Sequence, residues 1–380
     1  MTEPFALYVH VPWCRHICPY CDFNVHAAAT PPEDEYVAAL VAEMEAHAPW
    51  HGRGAKSVYA GGGTPSLFSP AAIARMLGAV ARVFGIVDGA EITLEANPGT
   101  VDRETLAGYR AAGVNRLSLG AQSFDARHLR TLGRDHGPDD TRAAVEAARD
   151  AGFANVSLDL IFAVPGETAA DWERDLAATI ALAPEHVSAY ALTYEERTPF
   201  HAWRASGRLR PVDDDTEATM AEAAATVLPA AGYARYEISS FARPGFAARH
   251  NASYWDGSDY LGVGAGAHSF GRRPAPGRRW MNERLPARYL AAVAASGTAV
   301  ATEEHLTEAQ ARAEFCFSGL RRTIGVDADA FRARFGVELA TAFPHVAGLV
   351  ADGLVETAGG RVRLTERGRR FADTVAATFV

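Results

Sequence analysis

Three of the chain's four cysteines fall within eight positions of "WCRHICPYCDF" (13–23), as Cys14, Cys18 and Cys21. In a reducing compartment, thiols at this density more often bind metal or do redox chemistry than form disulfides. Each thiolate can hold one iron of a cubane iron–sulfur cluster, whose full complement is four. Three would leave one iron with an open position, as a catalytic zinc keeps an open site for water. Two other chemistries use the same residues. A zinc site would draw a fourth ligand from His10, His16 or His26, and Cys18 and Cys21 have the Cys-x-x-Cys spacing of a redox pair. Pro12 and Pro19 disfavour helix and help the loop wrap. Cys316, in "AEFCFSGL", sits on an apolar helical face and is expected in a core.

Other candidates lie downstream. The glycines of "GGGTP" (61–65) let backbone groups approach a ligand closely. Glu95 ends a strand-like run in "LEANP", where a carboxylate can accept hydrogen bonds. In "HNASYW" (250–255), the imidazole of His250 suits a haem iron. Tyr254 and Trp255 offer flat apolar bodies with polar tips. Arginines in "FGRRPAPGRRW" (270–280) could meet carboxylates bidentately. His268 reads as a packed core histidine. Asp213-Asp214-Asp215 reads as a solvated cap at a helix start.

These residues must be positioned by regular elements. Strand-like runs at 5–11, 56–60, 91–96, 116–121, 156–163 and 186–193 alternate with helical patterns near 33–48, 70–84, 102–112, 138–151 and 169–182. Six such units predict an α/β fold: a parallel sheet forming a partial (β/α)6 barrel, with polar and glycine residues at the strand ends where barrels keep their chemistry. This core is expected over 1–210. A barrel-closing extension with a helix at 213–233, a strand at 235–242 and a glycine-rich stretch over the barrel mouth at 260–270 is expected over 211–304. A winged-helix-like α+β domain is expected over 305–380, with a hairpin at Gly359-Gly360.

Composition narrows the function. The 380 residues are 48% hydrophobic and 22% charged, with a net charge of −9. Phosphate-driven nucleic-acid binding is disfavoured. Residues 311–380 carry ten arginines against eight acids, too weak a field for a DNA-binding wing. No run approaches the roughly 18 apolar residues that cross a bilayer. The first residues lack a basic start and an apolar signal core, so a cytoplasmic protein is expected, with at most peripheral membrane contact.

"CRHICPYC" resembles the Cx3Cx2C signature of radical S-adenosylmethionine (SAM) enzymes. With "YVHVPWC" (8–14), "GGGTPS" (61–66), "LGAQSF" (119–124) and "LDLIFAVPGET" (158–168), the chain resembles the oxygen-independent coproporphyrinogen III oxidase family along essentially its whole length. The resemblance implies a 4Fe–4S cluster on Cys14, Cys18 and Cys21. It also implies S-adenosylmethionine on the open iron, contacted by Tyr8, Tyr20, Gly62, Gly63, Thr64, Glu95, Gln122, Arg134 and Asp159. Two features depart from the oxidase branch. Its signature continues as CxC, whereas Asp22-Phe23 follows Cys21 here, and its first strand follows a long N-terminal segment, whereas this one begins near residue 5. "CPYCDFN" and "HNASYW" are instead similar to the HemW-type haem chaperone group. That implies haem as cargo at His250, Asn251, Tyr254 and Trp255, haem-accepting partners such as respiratory proteins, and an electron donor such as flavodoxin or ferredoxin. Decarboxylation of coproporphyrinogen III is the alternative activity.

Overall fold

The six expected strands form as β1 (Phe5–Val11), β2 (Ala55–Gly62), β3 (Ile86–Ala96), β4 (Arg116–Gln122), β5 (Val156–Phe162) and β6 (His186–Ala191). In this computed structural model, which describes residues 3–380, they are parallel and adjacent in chain order. Alternation along each strand sorts its side chains. On β4, Leu117, Leu119 and Ala121 join the large apolar cluster beneath the helices, while Arg116, Ser118 and Gln122 line a central cavity. Helices Glu33–Ala46, Pro70–Val83, Arg103–Ala111, Pro138–Asp150 and Ala169–Ala181 make the crossovers. Their starts are locally encoded: Ser69, Asp102 and Thr168 each accept a backbone N–H from three residues on.

Beyond the six strands the sheet departs from expectation. The glycine-rich stretch does not lie over the barrel mouth. Tyr260–Val263 is a seventh parallel strand, β7, seated beside β1 with Tyr8 opposite Gly262. Strands His268–Gly271, Arg278–Asn282 and Val300–His305 continue from it as an antiparallel meander. His268 is exposed there, because strand alternation turns it outward. At the other end, 235–242 is not one strand. Ala234–Arg235 and Ser240–Ala242 fold back on each other, and the latter pairs with β6. Asp213 caps the helix Asp214–Ala230, as the acidic run implied.

The last segment builds its own apolar cluster, including Cys316, Phe331 and Val355. Helices Glu308–Leu320, Ala328–Phe335 and Val346–Ala351 precede a hairpin of Val355–Ala358 and Arg361–Leu364, turned by two positive-φ glycines. Two short helices, Glu366–Arg370 and Ala372–Ala377, follow the hairpin. No helix among the described residues is long and apolar enough to cross a membrane.

Glu43, fully buried on the first crossover helix, ties the meander to the barrel. It accepts hydrogen bonds from Gly264 N–H at 2.9 Å, Asn282 Nδ2 at 2.6 Å and Tyr289 O–H at 2.6 Å. Truncation would orphan three buried donors, at about 1–3 kcal/mol each. Glu43→Ala is therefore expected to lose at least about 3 kcal/mol in urea denaturation, and Glu43→Gln less.

Candidate functional site

The strand β1 runs through Pro12 into a two-residue strand, Trp13–Cys14, which pairs with His26–Ala27 and closes the cysteine loop on itself. A turn from Cys18 O to Cys21 N–H, at 3.0 Å, tightens its middle. The turn after β2 grips the base of this loop. Gly63 N–H donates to Val11 O and Thr64 N–H to Trp13 O, both at 2.8 Å, and Thr64 Oγ1 lies 3.3 Å from Cys14 Sγ. Glycine is required here by the protein's own backbone. Gly62 has φ of +108°, and a Cβ on Gly63 would sit 2.5 Å from Trp13 O.

Cys14, Cys18 and Cys21 are free thiols bordering one cavity of about 420 Å³ at the C-terminal end of the barrel. Burial raises the pKa of Cys14 and pushes that of Cys21 up to about 11, and the neighbouring cysteines add to both shifts. Such clustered thiols fit a cationic metal centre, which displaces their protons on binding. Of the histidines in the zinc alternative, only His10 has both ring nitrogens engaged, Nε2 with Asn24 O at 2.9 Å and Nδ1 with Tyr8 O–H at 2.9 Å. His16 Nε2 bonds Gly133 O at 2.8 Å and lies 3.9 Å from Cys18 Sγ, and His26 Nε2 is buried without a partner.

The same cavity is bordered by Tyr20, Gly62, Gly63, Thr64, Glu95, Gln122, Arg134, Asp159 and Asn251. Arg134 directs Nη1 to Cys18 Sγ at 3.5 Å and Nη2 to Gly120 O at 3.2 Å. Glu95 accepts from Tyr59 O–H at 2.5 Å and from Gly62 N–H at 3.0 Å. Asp159 accepts from Ser118 Oγ at 2.8 Å. Gln122 ends β4 with φ of +63°, a strained conformation for a residue with a Cβ, of the kind found where side chains are held for function.

Four candidates lie elsewhere. Tyr8 sits lower in the barrel, its hydroxyl on His10. The residues of "HNASYW" are not an open surface. They form a short helix, Arg249–Trp255, that packs against β1 and β2. Glu91 caps its start, accepting Arg249 N–H and His250 N–H at 3.0 Å each. His250 is 1% exposed, with Nδ1 bonded to Ser57 Oγ at 3.0 Å and Nε2 to Tyr254 O–H at 2.8 Å. Both ring nitrogens are engaged, so in this arrangement His250 does not fit an axial bond to a haem iron. Trp255 lies under the Arg321 guanidinium, at 4.6 Å. Asn251 alone of the four reaches the cavity.

Sequence reasoning missed three residues. Asn97 accepts from Arg134 Nη2 and donates to Thr64 Oγ1 at 3.2 Å, joining two walls. Its place two residues after Glu95 in "LEANP" was the available signal. Tyr59 orients Glu95 from the neighbouring strand, and Arg116 lines the cavity as a buried guanidinium whose Nε has no partner. Neither has a local motif.

A parallel β/α barrel with three cysteines in the loop after its first strand defines a radical SAM protein, and the Radical SAM superfamily pattern matches residues 8–178. The HemN C-terminal domain pattern matches residues 306–371. The chain is 36% identical to "Heme chaperone HemW" of Bacillus subtilis (strain 168), covering 99% of both chains. It is 38% identical to the protein of that name from Mycobacterium tuberculosis (strain ATCC 25618 / H37Rv), covering 100% of this chain and 95% of the relative. A solved structure of coproporphyrinogen III oxidase (HemN) from Escherichia coli shares the fold, with a TM-score of 0.85 at 24% identity, over 100% of this chain and 90% of that one. The chain belongs to the HemW family.

Burial pushes the Glu95 carboxyl up to about 7; the nearby Asp159 adds to the rise, and the Tyr59 hydrogen bond opposes it. Between the ordinary 4.5 and about 7, the native state therefore holds a proton that the unfolded chain has released. Stability from this group is full below 4.5 and is lost as pH rises through 7. From pH 5 to pH 8 the wild type is expected to lose on the order of 2–3 kcal/mol relative to Glu95→Gln, read from paired denaturation curves.

Proposed function

We propose that the protein is a haem chaperone. It binds haem, holds a 4Fe–4S cluster on Cys14, Cys18 and Cys21, binds S-adenosylmethionine in the adjoining cavity, and passes haem to haem-accepting proteins, respiratory ones among them. The end-to-end identity to two proteins called heme chaperones carries this reading. The three free thiols at one cavity, beside Glu95, Gln122, Arg134 and Asp159, support its cofactor part.

When bound, the cluster supplies reducing electrons and an open iron for the cofactor's amine and carboxylate. The chain's own residues bind and orient. Glu95, held by Tyr59 and Gly62, presents an acceptor for an ammonium or ribose hydroxyl. Arg134 sets a positive charge beside Cys18, and Asn97 fixes Arg134 against Thr64. Gln122 and Asp159 add polar groups to the wall. The cytoplasm, with flavodoxin or ferredoxin as electron donor, suits this chemistry. Phe23, 65% exposed, stands where the oxidase branch has its additional cysteine, which disfavours coproporphyrinogen decarboxylation.

Anaerobic reconstitution with iron, sulfide and haemin tests the proposal. About four non-haem irons per chain are expected, lost in Cys14→Ser, Cys18→Ser or Cys21→Ser and kept in Cys316→Ser. Haem is expected to bind, and coproporphyrinogen III to stay intact by chromatography. Zinc in the loop would refute the cluster, and a vinyl-bearing product would replace the chaperone with the oxidase.

A further inference from the structure

At the N-terminal ends of β1, β2 and β7, which Glu3, Arg53 and Asp259 precede, lies a second cavity, of about 1090 Å³. This exceeds the roughly 300–1,000 Å³ typical of small-molecule pockets. It opens between the meander and the last apolar unit. One wall comes from the hairpin after His268–Gly271, and another from the end of the helix Ala328–Phe335. Arg53 lies over the Trp50 ring at 4.5 Å and Arg278 over Trp280 at 4.6 Å, so guanidinium planes cover the indoles. Such planes stack readily on a flat conjugated ring.

The charge of this cleft is unbalanced. Five arginines line it against three acids, Glu3, Asp259 and Glu308. Asp259 accepts from Arg53 and Arg272, Glu3 also pairs with Arg272, and Arg278 pairs with Glu303. Among the described residues, Arg273 and Arg334 have no acidic partner within 4 Å. They stand on different walls, Arg273 exposed on the hairpin and Arg334 half-buried against Phe315 and Phe335. Burial lowers the pKa of the Arg334 guanidinium, the neighbouring Arg272 lowers it further, and Asp259 opposes the fall without neutralising it. An anion between these walls would relieve that repulsion.

We propose that this arginine-lined cleft is the docking site for a flat tetrapyrrole carrying two carboxylates, which meet Arg273 and Arg334. The assignment rests on the haem-chaperone reading and locates its cargo. No imidazole, thiol or thioether lines the cleft, so it recognises the carboxylates and the ring face and leaves the iron unligated. A ligand held in this way can be handed on without breaking a metal–protein bond.

The test titrates the full-length, cluster-reconstituted chain with haemin, metal-free protoporphyrin IX and haemin dimethyl ester. Wild type is expected to bind the first two with similar affinity and the ester at least about 10-fold more weakly. Arg273→Gln with Arg334→Gln is expected to weaken haemin and protoporphyrin alike by about 10-fold and to remove the gap to the ester. Iron content and unfolding midpoint report that the variant is folded. Arg273→Glu, at an exposed position, gives the same readout should the double variant not fold. Haemin binding unchanged in both variants would overturn the site and leave the chaperone reading standing. So would haemin binding much more tightly than protoporphyrin, which signals iron ligation. A wild-type chain that binds no tetrapyrrole would overturn both.

Discussion

Two backbone hydrogen bonds, Gly63 to Val11 and Thr64 to Trp13, set where the cysteine loop leaves the barrel. A loop carrying three thiols has little apolar surface of its own to bury, and its shape must be imposed. β1 delivers it, the short pairing of Trp13–Cys14 with His26–Ala27 closes it, and the turn after β2 clamps its root. Because the clamp works through main-chain groups, it depends on glycine at 62 and 63 for clearance, whatever ligand occupies the cavity. The rest of the site is hung from this clamp. Thr64 touches Cys14, Asn97 holds Thr64, and Arg134 reaches from Asn97 to Cys18.

Below that layer the barrel interior carries polar groups, several of which satisfy one another across strands, while Arg116 Nε has no partner. Glu91 holds the start of the 249–255 helix, and His250 stacks beneath Tyr59 at 5.0 Å. The Tyr59 hydroxyl in turn fixes Glu95 at the cavity wall. Most buried polar groups in folded proteins are paired, and a network of this kind specifies one arrangement of the core. It also connects His250 of "HNASYW" to the cavity wall, with Tyr59 between His250 and Glu95.

The legible part of this molecule was its local part. Strand alternation, helix caps at Ser69, Asp102 and Thr168, and the cysteine spacing are written within a few residues each, and those elements formed where the sequence placed them. What escaped depends on partners far along the chain. The stretch 260–270 reads as a glycine-rich cover over the barrel mouth because the pairing partner of Tyr260–Val263 lies some 250 residues earlier. Asn97, Tyr59 and Arg116 matter through neighbours on other strands. "HNASYW" reads as an accessible aromatic motif, and only the capping by Glu91 and the Ser57 contact show that it is packed inward.

The pairing of β7 with β1 bears on how the chain is made. During synthesis, β1 and the cysteine loop emerge well before β7, and one edge of β1 has no neighbour until residue 263 has left the ribosome. An unpaired, apolar strand edge invites association with other nascent chains, and contacts so distant in sequence form slowly. The interval during which the thiols hang from an unfinished sheet is thus set by translation speed. Metal loading before that interval ends would act on a loop whose clamp from β2 exists but whose outer flank does not.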